Sequence, residues 1–114
     1  MQTEEEKRQL QTEAWIGDSV LGLFVRRLIV AEDGDLNGEK YARYTSNKWL
    51  SHLGDPTEVE AEIGRVFEAK GLDAGFEHIR TKILPILIRE EKSHQNSVKQ
   101  RAEAKKKTTK RSKI

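Results

Sequence analysis

The stretch Glu13-Ala14-Trp15-Ile16-Gly17-Asp18-Ser19-Val20-Leu21-Gly22-Leu23-Phe24-Val25, continued by Leu28, Ile29 and Val30, decides how this chain folds. At about 100° per residue its apolar members cover nearly the whole circumference of a helix. Such a helix is expected to run through the middle of the protein and to draw Asp18 in with it. A carboxylate taken out of water costs several kcal/mol unless it is paired, hydrogen-bonded or bound to a metal. Positions 14, 15, 21 and 22, one turn away, hold no Lys or Arg. Two readings of Asp18 follow. Either it belongs to a metal site or acidic pocket, or it sits in a first turn, satisfied by free backbone N–H groups and the positive end of the helix dipole.

A second helix is announced by Asp55-Pro56-Thr57-Glu58, with Asp55 as N-cap, Pro56 at the first helical position and Glu58 in the capping-box place. Val59, Ile63, Val66 and Phe67 form its apolar stripe, and Gly71 is the expected C-cap. Glu60 lies at the edge of the stripe, with Gly64 one turn below, where a glycine lets another helix or a ligand come close. By itself Glu60 reads as a boundary glutamate.

The remaining chain bounds the possibilities. A length of 114 residues is one domain with a small core. Aromatics make up only 6% and apolar residues gather in four helical windows, so burial within one copy is limited and dimerisation is favoured. Trp15, Trp49 and Phe76 are candidate core or interface residues, core being the preferred reading. Gly34, Asn37 and Gly38 mark the main loop, Asp33 and Asp35 read as solvated there, and Pro85 is expected to kink a helix from Asp73 to Glu90. No strand-like alternation is visible, and the expected fold class is all-α. There is no cysteine, which excludes thiolate sites and points to an intracellular, cytoplasmic protein. No segment approaches the roughly 18 apolar residues of a membrane span, and the polar, acidic start reads as the first turns of a helix rather than a presequence. His52, His78 and His94 lack metal-ligand spacing.

Charge is divided more sharply than the net of +2 suggests. From Lys92 to Ile114 there are nine Lys or Arg and one acid, Glu103, so this tail carries +8 and the body −6. The expected organisation is a helical domain over residues 1–91 and a basic tail over 92–114, disordered or fraying after Ala104. Lys99, Arg101, Lys105, Lys106, Lys107, Lys110, Arg111 and Lys113 are its candidate nucleic-acid-binding residues, acting by counterion release. Arg26, Arg27, Lys40, Arg43 and Lys48 are cations of the body that would help only if they gathered on one face.

The segment Glu13 to Val25 resembles the signature helix of the ribonuclease III family, E-x-L-G-D-[AS]-V-L. Tyr44 to Ser51 is similar to the family's L-V-S-N-x-x-L-A helix, and Val59 to Ile79 to its F-E-A-L-I-G helix. The three fall in the family's order over roughly residues 13 to 88. The resemblance implies a compact, all-α, homodimeric endoribonuclease. It would cleave double-stranded or structured RNA with Mg²⁺, or Mn²⁺ in its place, activating the attacking water. Asp18 and Glu60 take the positions of two metal-holding, catalytic acids. Two further family acids are replaced by Ala14 and Thr57, as in the short Mini-III type that lacks a double-stranded-RNA-binding domain. Glu13 would reach such a site only on a rotated helix, and Glu62 is on the wrong side of its own. The segment before the Glu60 helix is shorter than in the family. The reduced acid set and this shortening support an alternative expectation, a ribonuclease III-like protein that binds structured RNA without cutting it, for example in ribosome assembly.

Overall fold

A computed structural model describes the backbone of residues 1–112 and the side chains of residues 1–105. Helix α1, Glu4–Asp33, is the longest element. Thr3 opens it, its hydroxyl accepting from the Glu6 N–H at 3.1 Å, and Glu4, Glu5 and Glu6 place negative charge at the positive end of the dipole. Gly34 closes it in the left-handed conformation at φ 74°. Asn37 caps α2, Gly38–Tyr44, and Ser46 caps α3, Asn47–Leu50, which runs into a single 3-10 turn.

Helix α4, Pro56–Lys70, begins as its sequence specifies, with the Asp55 carboxylate accepting from the Glu58 N–H at 3.3 Å. Gly71, at φ 93°, donates to the Phe67 carbonyl and ends it. Helices α5, Leu72–His78, and α6, Leu84–Ser112, are joined through a π turn over Ile79–Ile83. Pro85 explains the turn. It has no N–H to give and its ring crowds the carbonyl four residues back. The chain widens by one residue instead of breaking, and the Leu84 N–H donates to the Ile79 carbonyl, five back.

The core gathers Leu21, Phe24, Val25 and Ile29 of α1, Tyr44, Trp49 and Leu50 of the short helices, Ile63 of α4, and Ile79, Ile83 and Leu87 beyond. Phe24 meets Phe76 edge to face at 5.5 Å between centroids. The chain is thus all-helical among the described residues, and no helix there is long and apolar enough to cross a membrane.

Two expectations are corrected. Helix α1 does not run through the middle: the other helices cover only one side of it, leaving Trp15, Asp18, Ser19, Arg26, Arg27 and Val30 exposed. A chain this small has too few elements to wrap a helix on both sides. Trp15 is accordingly 77% exposed rather than core, whereas Trp49 is buried and Phe76 half-buried. The basic segment is helical as far as Ser112, the last residue whose backbone the structure describes, and the molecule measures 67 Å along its longest axis.

Candidate functional site

Asp18 and Glu60 meet because two helices cross without side chains between them. A Cβ on Gly17 would run into the Glu60 carbonyl, and one on Gly64 into the Glu13 carbonyl. Gly17 lies four residues after Glu13 and Gly64 four after Glu60, so the reciprocal contacts define an antiparallel crossing. Ala14 and Ala61, both buried, keep the approach close on either side. Asp18 follows Gly17 directly and is delivered to Glu60 by this geometry.

The two carboxyls lie close enough on the same wall for Asp18 to act directly on the Glu60 proton. Burial, then the nearness and the charge of Asp18, push the Glu60 carboxyl up to about 8, so near neutrality it holds a proton that Asp18 accepts. Asp18 lies in the middle of α1, far beyond the free N–H groups of its first turn, which overturns the dipole reading.

The pair faces an open pocket of about 380 Å³ lined by Gln11, Ala14, Trp15, Asp18, Thr45, Asn47, Thr57 and Glu60. All four positions singled out in the sequence, Ala14, Asp18, Thr57 and Glu60, therefore share one cavity wall. No lysine or arginine lines it. Gln11, Thr45 and Asn47 were not singled out, because only the fold brings α1 and the α2–α3 connection beside α4.

Other expectations resolve one by one. Glu13 turns away, bound to the Arg65 Nε at 2.7 Å. The Glu58 side chain also goes to Arg65, at 3.4 Å, instead of back to its own helix start. Asp33 pairs with Lys40 at 3.1 Å, and the Asp35 carboxylate accepts from the Leu36 N–H. Arg43 binds Glu91, while Arg26 and Arg27 lie over the Tyr41 and Phe76 rings. Among the described residues no third acid, histidine or cysteine joins the pair in a metal-holding group. Of the tail candidates, Lys99, Arg101 and Lys105 are exposed on α6. The side chains of Lys106, Lys107, Lys110 and Arg111, and all of Lys113, lie outside the described residues.

The donor set suits a hard cation. Two carboxylates in contact, ringed by neutral amide and hydroxyl groups, repel one another until a proton or a cation relieves them. Oxygen donors of this kind favour Mg²⁺ or Mn²⁺ over softer metals. Compared with known proteins, the chain matches no family model and shows no similarity to a curated protein or a solved structure.

Proposed function

We propose that this chain is a divalent-cation-dependent endoribonuclease of ribonuclease III type, acting on double-stranded or structured RNA. The observation that carries the reading is the contact between Asp18 and Glu60 in a pocket that also holds Ala14 and Thr57. Asp18 and Glu60 hold Mg²⁺, or Mn²⁺ in its place. The ion, when bound, supplies Lewis acidity at the phosphodiester and activates water for attack on phosphorus. Glu60 releases its proton as the site loads, and Asp18 provides the fixed charge. Gln11, Thr45 and Asn47 offer hydrogen bonds to the ribose and phosphate oxygens that flank the scissile bond. In this reading two copies pair, as the resemblance of the signature helix implies.

One observation favours a second reading, an RNA-binding protein of the same type that does not cut: only two acids face the pocket among the described residues. Cleavage of a long double-stranded RNA, with Mg²⁺ present or chelated, separates the two. Metal-dependent cutting that disappears in Glu60→Gln is the expected result. Tight binding by the wild type with no cutting under any ion would replace the nuclease with the binder.

A further inference from the structure

The distribution of charge on α6 points to a second working surface. Leu87, Glu91 and His94 lie on the side of this helix turned to the body, in line with Ile83 of the preceding π turn, Leu87 in the core and Glu91 on Arg43. At about 100° per residue, Arg89, Lys92 and Lys99 fall on the opposite side. All three are exposed, the Arg89 side chain 64% so while it pairs loosely with Glu90 at 3.6 Å. The sequence repeats the pattern, with lysine at 92, 99, 106 and 113, a spacing of seven that returns to nearly the same face every two turns. Arg101 and Lys105 follow the body-facing side instead, and Glu103, the one acid of the segment, falls on the stripe face one turn after Lys99.

We propose that α6 is a preformed phosphate-binding helix whose Arg89–Lys92–Lys99 stripe, rather than the Arg101–Lys105 face, lies along the backbone of duplex RNA. This rests on the preceding reading only for the choice of RNA as the polyanion. Charge complementarity supplies the occupant: the body is −6 and repels phosphate, whereas the segment from Lys92 onward is +8. Order supplies the geometry. An isolated basic helix of this length is marginal because nucleation is costly. Here the nucleus is already made by the docked turns around Leu87, and each later residue only has to propagate it. The Arg43–Glu91 pair and the Leu87 contact fix the direction in which the helix leaves the body. From Lys92 to Ser112 it spans about 30 Å at 1.5 Å per residue, so the stripe meets successive phosphates along one duplex instead of sweeping as a loose tail.

Fluorescence anisotropy with a long blunt-ended RNA duplex, with Mg²⁺ chelated so that cutting plays no part, tests this against charge alone. Lys92→Gln with Lys99→Gln and Arg101→Gln with Lys105→Gln remove the same charge from opposite faces. The stripe pair is expected to weaken binding on the order of tenfold and to lower the salt slope by roughly 1.8, about 0.9 per phosphate contact. The other pair should do distinctly less. Gln100→Pro, which leaves charge unchanged and breaks the helix beyond the body, should also weaken binding, with far-UV circular dichroism reporting the lost helix. Equal or reversed losses in the two pairs, or full affinity in a Gln100→Pro protein that has lost helix, would overturn the proposal. A wild type that binds through the stripe but never cuts removes the nuclease reading and leaves this one standing.

Discussion

The Glu60 carbonyl occupies the space that a side chain on Gly17 would need. Gly17→Ala therefore cannot be absorbed by a rotamer change, because the obstacle is backbone. Separation of α1 from α4 is expected, with a loss of about 1–3 kcal/mol or more in urea denaturation, and Gly64→Ala should behave alike against the Glu13 carbonyl. Gly38→Ala is the control: nothing lies within 4 Å of its missing Cβ and its backbone is not left-handed, so its effect should be small. Equal stability in all three variants would refute the backbone crossing.

Stability should fall with rising pH through the acid pair. Glu60 loses its proton near its ordinary 4.5 in the unfolded chain but only at about 8 in the folded one. The folded state binds the extra proton between those values, so its contribution is full below pH 4.5 and is lost as pH rises to 8. Glu60→Gln, always neutral, should flatten the profile and be the more stable protein above pH 8. Thermal melts across this range check both statements.

Loading the site with Mg²⁺ or Mn²⁺ at pH 7 must displace the proton that Glu60 holds. Titration calorimetry in buffers of different ionisation enthalpy should register proton release in the wild type and none in Glu60→Gln. Binding heats independent of buffer would contradict the proposed metal role of Glu60.

Thr57 is the open place in the acid set. Thr57→Asp adds a third carboxylate to the same cavity wall, and Mn²⁺ affinity is expected to rise on the order of tenfold as ligand charge increases. Without metal the added charge should destabilise the fold. If Thr57→Asp leaves affinity unchanged, the pocket is not where the ion binds.

Arg43 grips Glu91 with both prongs, each at 2.9 Å, and this holds the Glu91 carboxyl below its usual range despite the burial that opposes it. Arg43→Ala strands a half-buried carboxylate and should cost about 1–3 kcal/mol. The wild type carries this contribution above the ordinary carboxylate range and loses it as pH falls through the lowered value. An Arg43→Ala, Glu91→Gln double-mutant cycle measures the coupling.

Local signals in the sequence determine structure where they depend on neighbours along the chain. The Asp55-Pro56 start of α4, its Gly71 end and the Gly34 loop are local chemistry, and all three appear where expected. Asp18 and Glu60 were legible as a pair only through the resemblance of their segments to known helices. The glycines that make their meeting physical, Gly17 and Gly64, act across 47 positions of sequence and announce nothing locally except permissiveness. Burial was the weak point. Hydrophobicity around the full circumference of α1 predicts burial on all sides, yet the fold has nothing to lay over Trp15 and Val30. Pro85 marked an irregularity in the sequence, and the structure places a widened turn of one extra residue just before it.

The two tryptophans now stand in opposite surroundings, Trp15 at 77% exposure beside the acid pair and Trp49 at 7% in the core. The protein thereby carries its own pair of optical reporters. Red-edge emission, quenchable by iodide, belongs to Trp15 and registers whatever enters or covers the pocket. The blue-shifted, shielded component belongs to Trp49 and changes only when the fold itself opens.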